Sequence, residues 1–193
     1  MAAVSLAAPA HVTLDDFYRI PDLPDGAELV DGEVVVAALA SSDHGYVARA
    51  LFRAMDTHAS TTGVGECFGD GFGYELPVPA RPHTLRVPDA SFVRAERIPR
   101  PRVRGRAFAL APDVAAEVLS PSDTYPVVRA KLDDYLQAGT AAVWLVDPAS
   151  RTIEVHAPGA PRRLLHVGDT LAGGEAFPGF TLALAPLFAV LDE

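Results

Sequence analysis

The stretch that decides the fold is DVAAEVLSPSDTYPVVRAKLDDYLQAGTAAVWLVDP, residues 113–148. Its first eight residues, 113–120, read as a buried strand. Pro121-Ser122-Asp123 forms a turn into a helix from about Pro126 to Ala138. Val128, Leu132, Tyr135 and Leu136 line one face of that helix, and Gly139 ends it. Residues 141–148 are a continuous apolar run, the mark of a central strand, closed by Pro148. Strand, helix and strand in this order predict a right-handed βαβ crossover.

Upstream, Thr13 is placed to cap a short helix from Leu14 to Ile20, stopped by Pro21. Residues 27–39, AELVDGEVVVAAL, set two β-prone runs around Asp31-Gly32, a strong hairpin signal. Ser41 or Ser42 can cap a helix from about Asp43 to His58, with Val47, Ala50, Leu51, Ala54 and Met55 at helical spacing. Glycines 63, 65, 69, 71 and 73 punctuate short strand-like pieces. TLRVPDASFV, residues 84–93, reads as a strand broken at Pro88. Downstream, TIEVHAP and RRLLHV read as peripheral antiparallel strands, and the C-terminal run has no clear period beyond a last strand or helix turn. The order predicts one α/β domain, a mixed sheet flanked by helices, over residues 13–193, with residues 1–12 as a frayed tail.

Composition bounds the chemistry. The 193 residues are 49% hydrophobic and 21% charged, enough apolar content for one sizeable core. No apolar run approaches the roughly 18 residues of a membrane helix. The N-terminal apolar segment lacks a basic n-region, so the chain is expected to be cytoplasmic. Cys67 is the only cysteine, which excludes a disulfide framework and a cysteine zinc site. The net charge of -9 repels nucleic acid overall. One segment runs against it: Arg94, Arg97, Arg100, Arg102, Arg104 and Arg106 fall within thirteen residues, offset by Glu96. That segment reads either as a phosphate contact or as a solvated loop. Among 16 basic residues Lys131 is the single lysine. Arginine stays protonated in proteins, whereas a lysine is a point charge whose proton affinity is tunable.

Three residues stand out. Glu117 lies inside an otherwise small and apolar strand, where a carboxylate is costly unless paired or metal-bound. Alternation puts Ala115, Glu117 and Leu119 on one face. Asp89 follows Pro88, which can re-aim the next side chain, though Val-Pro-Asp also suits an ordinary turn. Lys131 borders the apolar face of the following helix, so its stem can run along the sheet while its ammonium reaches the strand ends. Two carboxylates can hold Mg²⁺ (or Mn²⁺) with several waters retained, and a nearby ammonium can stabilise charge developing on phosphate.

The ordered set VPDASFV, AAEVLSPSD, KLDDYLQAG and VWLVDP, with the upstream GAELVDGEVV and the Ser-Ser-Asp-His ending at His44, resembles the Uma2 family, also called DUF820. That family consists of endonuclease-like proteins of the PD-(D/E)XK, restriction-endonuclease-like superfamily. The resemblance spans about Thr13 to Leu187. It implies a restriction-endonuclease-like core with the active site at one sheet edge. It also implies Asp89 and Glu117 as metal ligands, with the Val118 carbonyl as a possible addition. The superfamily's usual lysine, two positions after the acidic residue, is replaced here by Leu119, and Lys131 on the next helix is the matching group. Glu28, in the ELVDGE stretch, is a candidate fourth acidic group, evenly balanced against a plain hairpin glutamate. His44 is either near the site or a helix cap.

The expectation is therefore a Mg²⁺-dependent endonuclease acting on nucleic acid, most readily DNA, with Arg94, Arg97, Arg100 and Arg102 on backbone phosphates and a homodimer possible. Two rivals stand beside it: a non-catalytic nucleic-acid- or protein-binding module of the same fold, and a metal-dependent hydrolase of a small phosphate or nucleotide.

Overall fold

The computed structural model of the chain describes residues 4–5, 11–36, 39–101 and 103–192. In chain order its elements are β1 (Val4–Ser5), α1 (Leu14–Phe17), β2 (Glu28–Val30), β3 (Glu33–Val36), α2 (Ser42–Thr62), β4 (Gly65–Gly69), β5 (Tyr74–Glu75), β6 (Leu85–Arg86) and β7 (Ala90–Arg94). After a short 3-10 turn at Ala95–Arg97 come β8 (Val114–Val118), α3 (Tyr125–Ala138), β9 (Ala142–Asp147), β10 (Thr152–His156), β11 (Arg163–Leu165), β12 (Thr170–Ala172), β13 (Thr181–Ala183) and α4 (Leu184–Ala189).

The central sheet has six strands in the order β11-β10-β9-β8-β7-β4. Only β8 and β9 run parallel, from Val114 opposite Ala142 to Val118 opposite Val146. They are the two strands joined through α3, as the quoted stretch predicts, because parallel neighbours need a long crossover. Alternating residues of β8 face opposite layers. Val114, Ala116 and Val118 pack with Trp144, Phe92, Leu51 and Met55 under α2 and α4. Ala115 packs with Val143, Leu132 and Tyr135 under α3. Both faces are thus covered around β8 and β9, which explains their unbroken apolar pattern.

A second sheet, β1-β3-β2-β6-β5, is wholly antiparallel and has its own core of Leu29, Val34, Leu85, Phe17 and Val12. Its β2–β3 hairpin turns at Asp31 and Gly32, both with positive φ, the pair of left-handed residues that a type I′ turn requires. A side chain at Gly32 would also strike the His11 ring.

Several boundaries differ from the sequence reading. α1 stops at Phe17, three residues early, although its Thr13–Asp16 capping box is in place. α2 runs on to Thr62, where Gly63 in the left-handed region ends it. Ser60, Thr61 and Thr62 satisfy their hydroxyls on the helix's own carbonyls, so their polarity hides the last turn. Residues 84–93 do not form one strand with a break: Pro88 hands the chain from the second sheet (β6) to the central one (β7). Within the segment 1–12, Val4 and Ser5 pair with Val36 and Val35, and Val12 is buried.

Candidate active site

Asp89 lies in the passage between the two sheets. The β7–β8 ladder runs from Phe92 opposite Val114 to Ala90 opposite Ala116. Asp89 and Glu117 therefore occupy the next register position, one step beyond the last paired residues. The Val118 amide donates to Asp89 Oδ2 at 2.6 Å. Asp89 Oδ1 meets His44 Nε2 at 3.1 Å. His44 stands in the first turn of α2, whose Ser41 hydroxyl accepts from the His44 amide. Of the two readings of His44, the cap belongs instead to Ser41, and the His44 ring lies at Asp89.

Glu117 is only 6% exposed. Lys131 Nζ donates to its Oε2 at 2.8 Å and the Tyr135 hydroxyl to its Oε1 at 2.7 Å. Lys131 and Tyr135 are four residues apart on α3, so one helical face delivers both. In the sequence Tyr135 is hidden as a site residue because it fits the apolar stripe of α3. Its signal is general: a buried tyrosine hydroxyl needs a partner.

Glu28 comes from the second sheet. Its Oε1 accepts from the Val87 amide at 3.0 Å and lies 3.4 Å from Lys131 Nζ; its Oε2 accepts from Arg86 Nη1 at 2.7 Å. Arg86 is buried too, and gives Nε and Nη2 to Asp134 Oδ2 at 2.9 and 2.6 Å. Arg81 also pairs with Asp134. Neither Arg86 nor Asp134 was legible as part of this cluster: one sits in a two-residue strand, the other beside the exposed-looking Asp133.

The electrostatics follow from burial and from crowding of like charge. Burial pushes the Glu117 carboxyl up to about 7; Lys131 opposes this, while Asp89 and Glu28 add to it. For Lys131, burial favours the neutral amine, but Glu117 and Glu28 outweigh it and raise its proton affinity. The two directions agree, because three carboxylates crowd one ammonium. At Glu28 burial raises the pKa, yet Lys131 and Arg86 together hold the carboxyl below its ordinary value. The hydrogen bond to Asp89 raises the His44 pKa against the opposing effect of burial.

A pocket of about 20 Å³ is lined by Glu117, Lys131 and Asp123. It shares Leu119, Asp123, Val128 and Leu145 with a cleft of about 1100 Å³ that extends over β9 and β10. The charged groups of that cleft are Asp43, Asp123, Asp147 and Glu154 against Arg129 and Arg162, with His156 and His166. Among the described residues no group of three or more His, Cys, Asp or Glu is disposed to hold a metal ion. The register places Asp89 and Glu117 at neighbouring positions of this sheet end, and Glu28 approaches from the second sheet beside Lys131.

Arg94, Arg97 and Arg100 are not brought to this end. Arg94 is five residues along from Asp89, ~16 Å at 3.3 Å per strand residue. It lies 3.6 Å from Asp113 and donates to the Glu175 carbonyl. Arg97 pairs with Asp113 at 2.7 Å, and Arg100 reaches Glu66 at 3.5 Å. Arg102 lies outside the described residues.

The model of the Uma2 family, described as "Putative restriction endonuclease", matches residues 14–185. The fold is also that of a crystal structure titled as a "putative nuclease belonging to DUF820" from Anabaena variabilis. That match has a TM-score of 0.79 at 22% identity and covers 93% of this chain and 99% of the other. No curated protein matches the chain. No helix among the described residues is long and apolar enough to cross a membrane.

Proposed function

The chain belongs to the Uma2 family, and on that premise we propose that it is a metal-dependent endonuclease that hydrolyses phosphodiester bonds, with DNA as substrate. One observation supports this most: two carboxylates at adjacent strands' ends, Asp89 and Glu117, with the chain's only lysine 2.8 Å from the second.

The donor set fits a hard cation. Mg²⁺ binds through one or two carboxylates and keeps several waters, so it needs no cage of three protein ligands. Asp89 and Glu117 would hold it, and the ion, when bound, would polarise a phosphoryl oxygen and acidify a water. The chain's own groups do the positioning. The Val118 amide and His44 fix the two oxygens of Asp89, and Tyr135 fixes Oε1 of Glu117. Lys131 supplies a positive group for charge that develops on the phosphate oxygens. Glu28 is held by Arg86 and Val87, which argues against a ligand role for it.

Incubation with supercoiled plasmid in Mg²⁺, Mn²⁺ or EDTA tests the reading. Wild type should nick with metal and not with EDTA, and Glu117→Ala should be inactive. Equal nicking by both proteins sinks the assignment of Glu117.

A second reading has its own support in the cleft, where four carboxylates face two arginines. Such a surface tolerates a small metal-chelated phosphate better than a polyanion. Substrate affinity that falls steeply with salt marks the polymer, and near-independence of salt marks the small molecule.

A further inference from the structure

We infer that Glu28 is a positioning residue: it is a fixed second seat for the Lys131 ammonium, which leaves Glu117 free to take a metal. The inference rests on the proposed reading of Glu117 as a ligand.

Three observations carry it. First, Lys131 Nζ stands between two carboxylates, 2.8 Å from Glu117 Oε2 and 3.4 Å from Glu28 Oε1. Second, the two seats differ in what else holds them. Glu117 is braced by one neutral hydroxyl, Tyr135. Glu28 is braced by the Arg86 guanidinium and the Val87 amide, and Arg86 is itself locked on Asp134. Glu28 therefore cannot follow the ammonium, whereas the ammonium, on a flexible stem, can move between them. Third, the guanidinium 2.7 Å from Glu28 repels a divalent ion. So Glu28 is suited to receive a monocation and unsuited to be a ligand itself.

The consequence is mechanical. A cation arriving at Glu117 repels the ammonium already there. With Glu28 present, Lys131 shifts by about the difference between two contacts and keeps a charge partner. Without Glu28, a largely buried ammonium has only Glu117, and it competes with the metal for that carboxylate.

The lone lysine makes this measurable without any substrate. Protein labelled with ¹⁵N-lysine has a single side-chain Nζ signal. In wild type that signal should shift on saturation with Mg²⁺, as the ammonium changes seats; a signal that Mg²⁺ saturation leaves in place overturns the inference. The second measurement is calorimetric titration with Mn²⁺ of wild type, Glu28→Gln, Lys131→Met and the double variant. Glu28→Gln should weaken Mn²⁺ binding about tenfold, the low end of effects exerted from outside the ligand shell. In the Lys131→Met background the same change should do nothing. Equal weakening in both backgrounds, or none in either, overturns the positioning role. Should Glu28→Gln not fold, Glu28→Asp keeps the charge beside Arg86 while drawing the carboxylate back, and the same cycle applies. Wild type that binds no Mn²⁺ refutes the metal reading itself, a result distinct from a bound metal without coupling to Lys131.

Discussion

The two ends of β7 invite comparison. At the Arg94 end, charge is dense in the sequence and anchored in the fold: Asp113, buried, accepts from the Arg94 amide and pairs with Arg97 at 2.7 Å. At the Asp89 end, charge is sparse in the sequence and gathered into one buried cluster by the fold. Asp89, Glu117 and Glu28 share Lys131, Arg86 and the His44 ring, and burial pushes Glu117 up to about 7. A run of like charges on a surface finds partners at little cost, whereas buried carboxylates must be matched by cations and hydrogen bonds brought from other elements, and it is such crowding that shifts proton affinity.

The contrast breaks most sharply under substitution. Asp89→Asn keeps an acceptor for the Val118 amide and loses the charge. Nicking should drop at least ~10²-fold, the scale of losing one electrostatic contact at a reacting centre, while the melting temperature holds or rises. A variant that nicks normally would remove Asp89 from the site. At the other end, Arg97→Ala withdraws a partner from buried Asp113 and should cost about 1–3 kcal/mol in urea unfolding. Its nicking per folded molecule should be unchanged; a specific loss of plasmid affinity would instead make the segment a phosphate contact.

Acidity sharpens the comparison further. Glu117 binds its proton more tightly folded than unfolded, so metal-free protein should lose stability as pH rises from about 4.5 towards 7. The raised His44 acts in the same direction, its contribution fading as pH passes its folded value. Glu28, held low, acts oppositely and weakens the fold only under acid. Melting curves in EDTA should show the decline, and Glu117→Gln should flatten it. The smallest effect belongs to Arg100, whose side chain is 75% exposed. Arg100→Ala should stay within about 0.5 kcal/mol of wild type in the same urea titration, and an effect as large as that of Arg97→Ala would erase the distinction between solvated and anchored arginines.

How far the sequence could be read follows the same division. β8, α3 and β9 were legible because burial on both faces writes itself into the chain as unbroken apolar runs. Glu117 was legible as an exception to such a run. The Asp31-Gly32 hairpin was legible from turn chemistry alone. What escaped depends on pairing across long separations. Nothing local distinguishes Asp134, fully buried, from its neighbour Asp133, nor marks Arg86 as its partner 48 residues away. The arginine segment drew attention because a charge count sees sequence neighbours. It does not see Asp113, Glu66 and the Glu175 carbonyl arriving from elsewhere.

The passage Val87–Asp89 ties the two sheets together, and both of its ends are pinned, Val87 to Glu28 and Asp89 to Val118. Asp89 and Glu117 sit at the margin of the central sheet; Glu28 belongs to the other. Any rocking of one sheet against the other therefore alters the gap between the acidic pair and the lysine's anchor at once. The Arg86–Asp134 clamp from the second sheet to α3 opposes such a movement, so the residues that hold Glu28 in place also hold the two layers together.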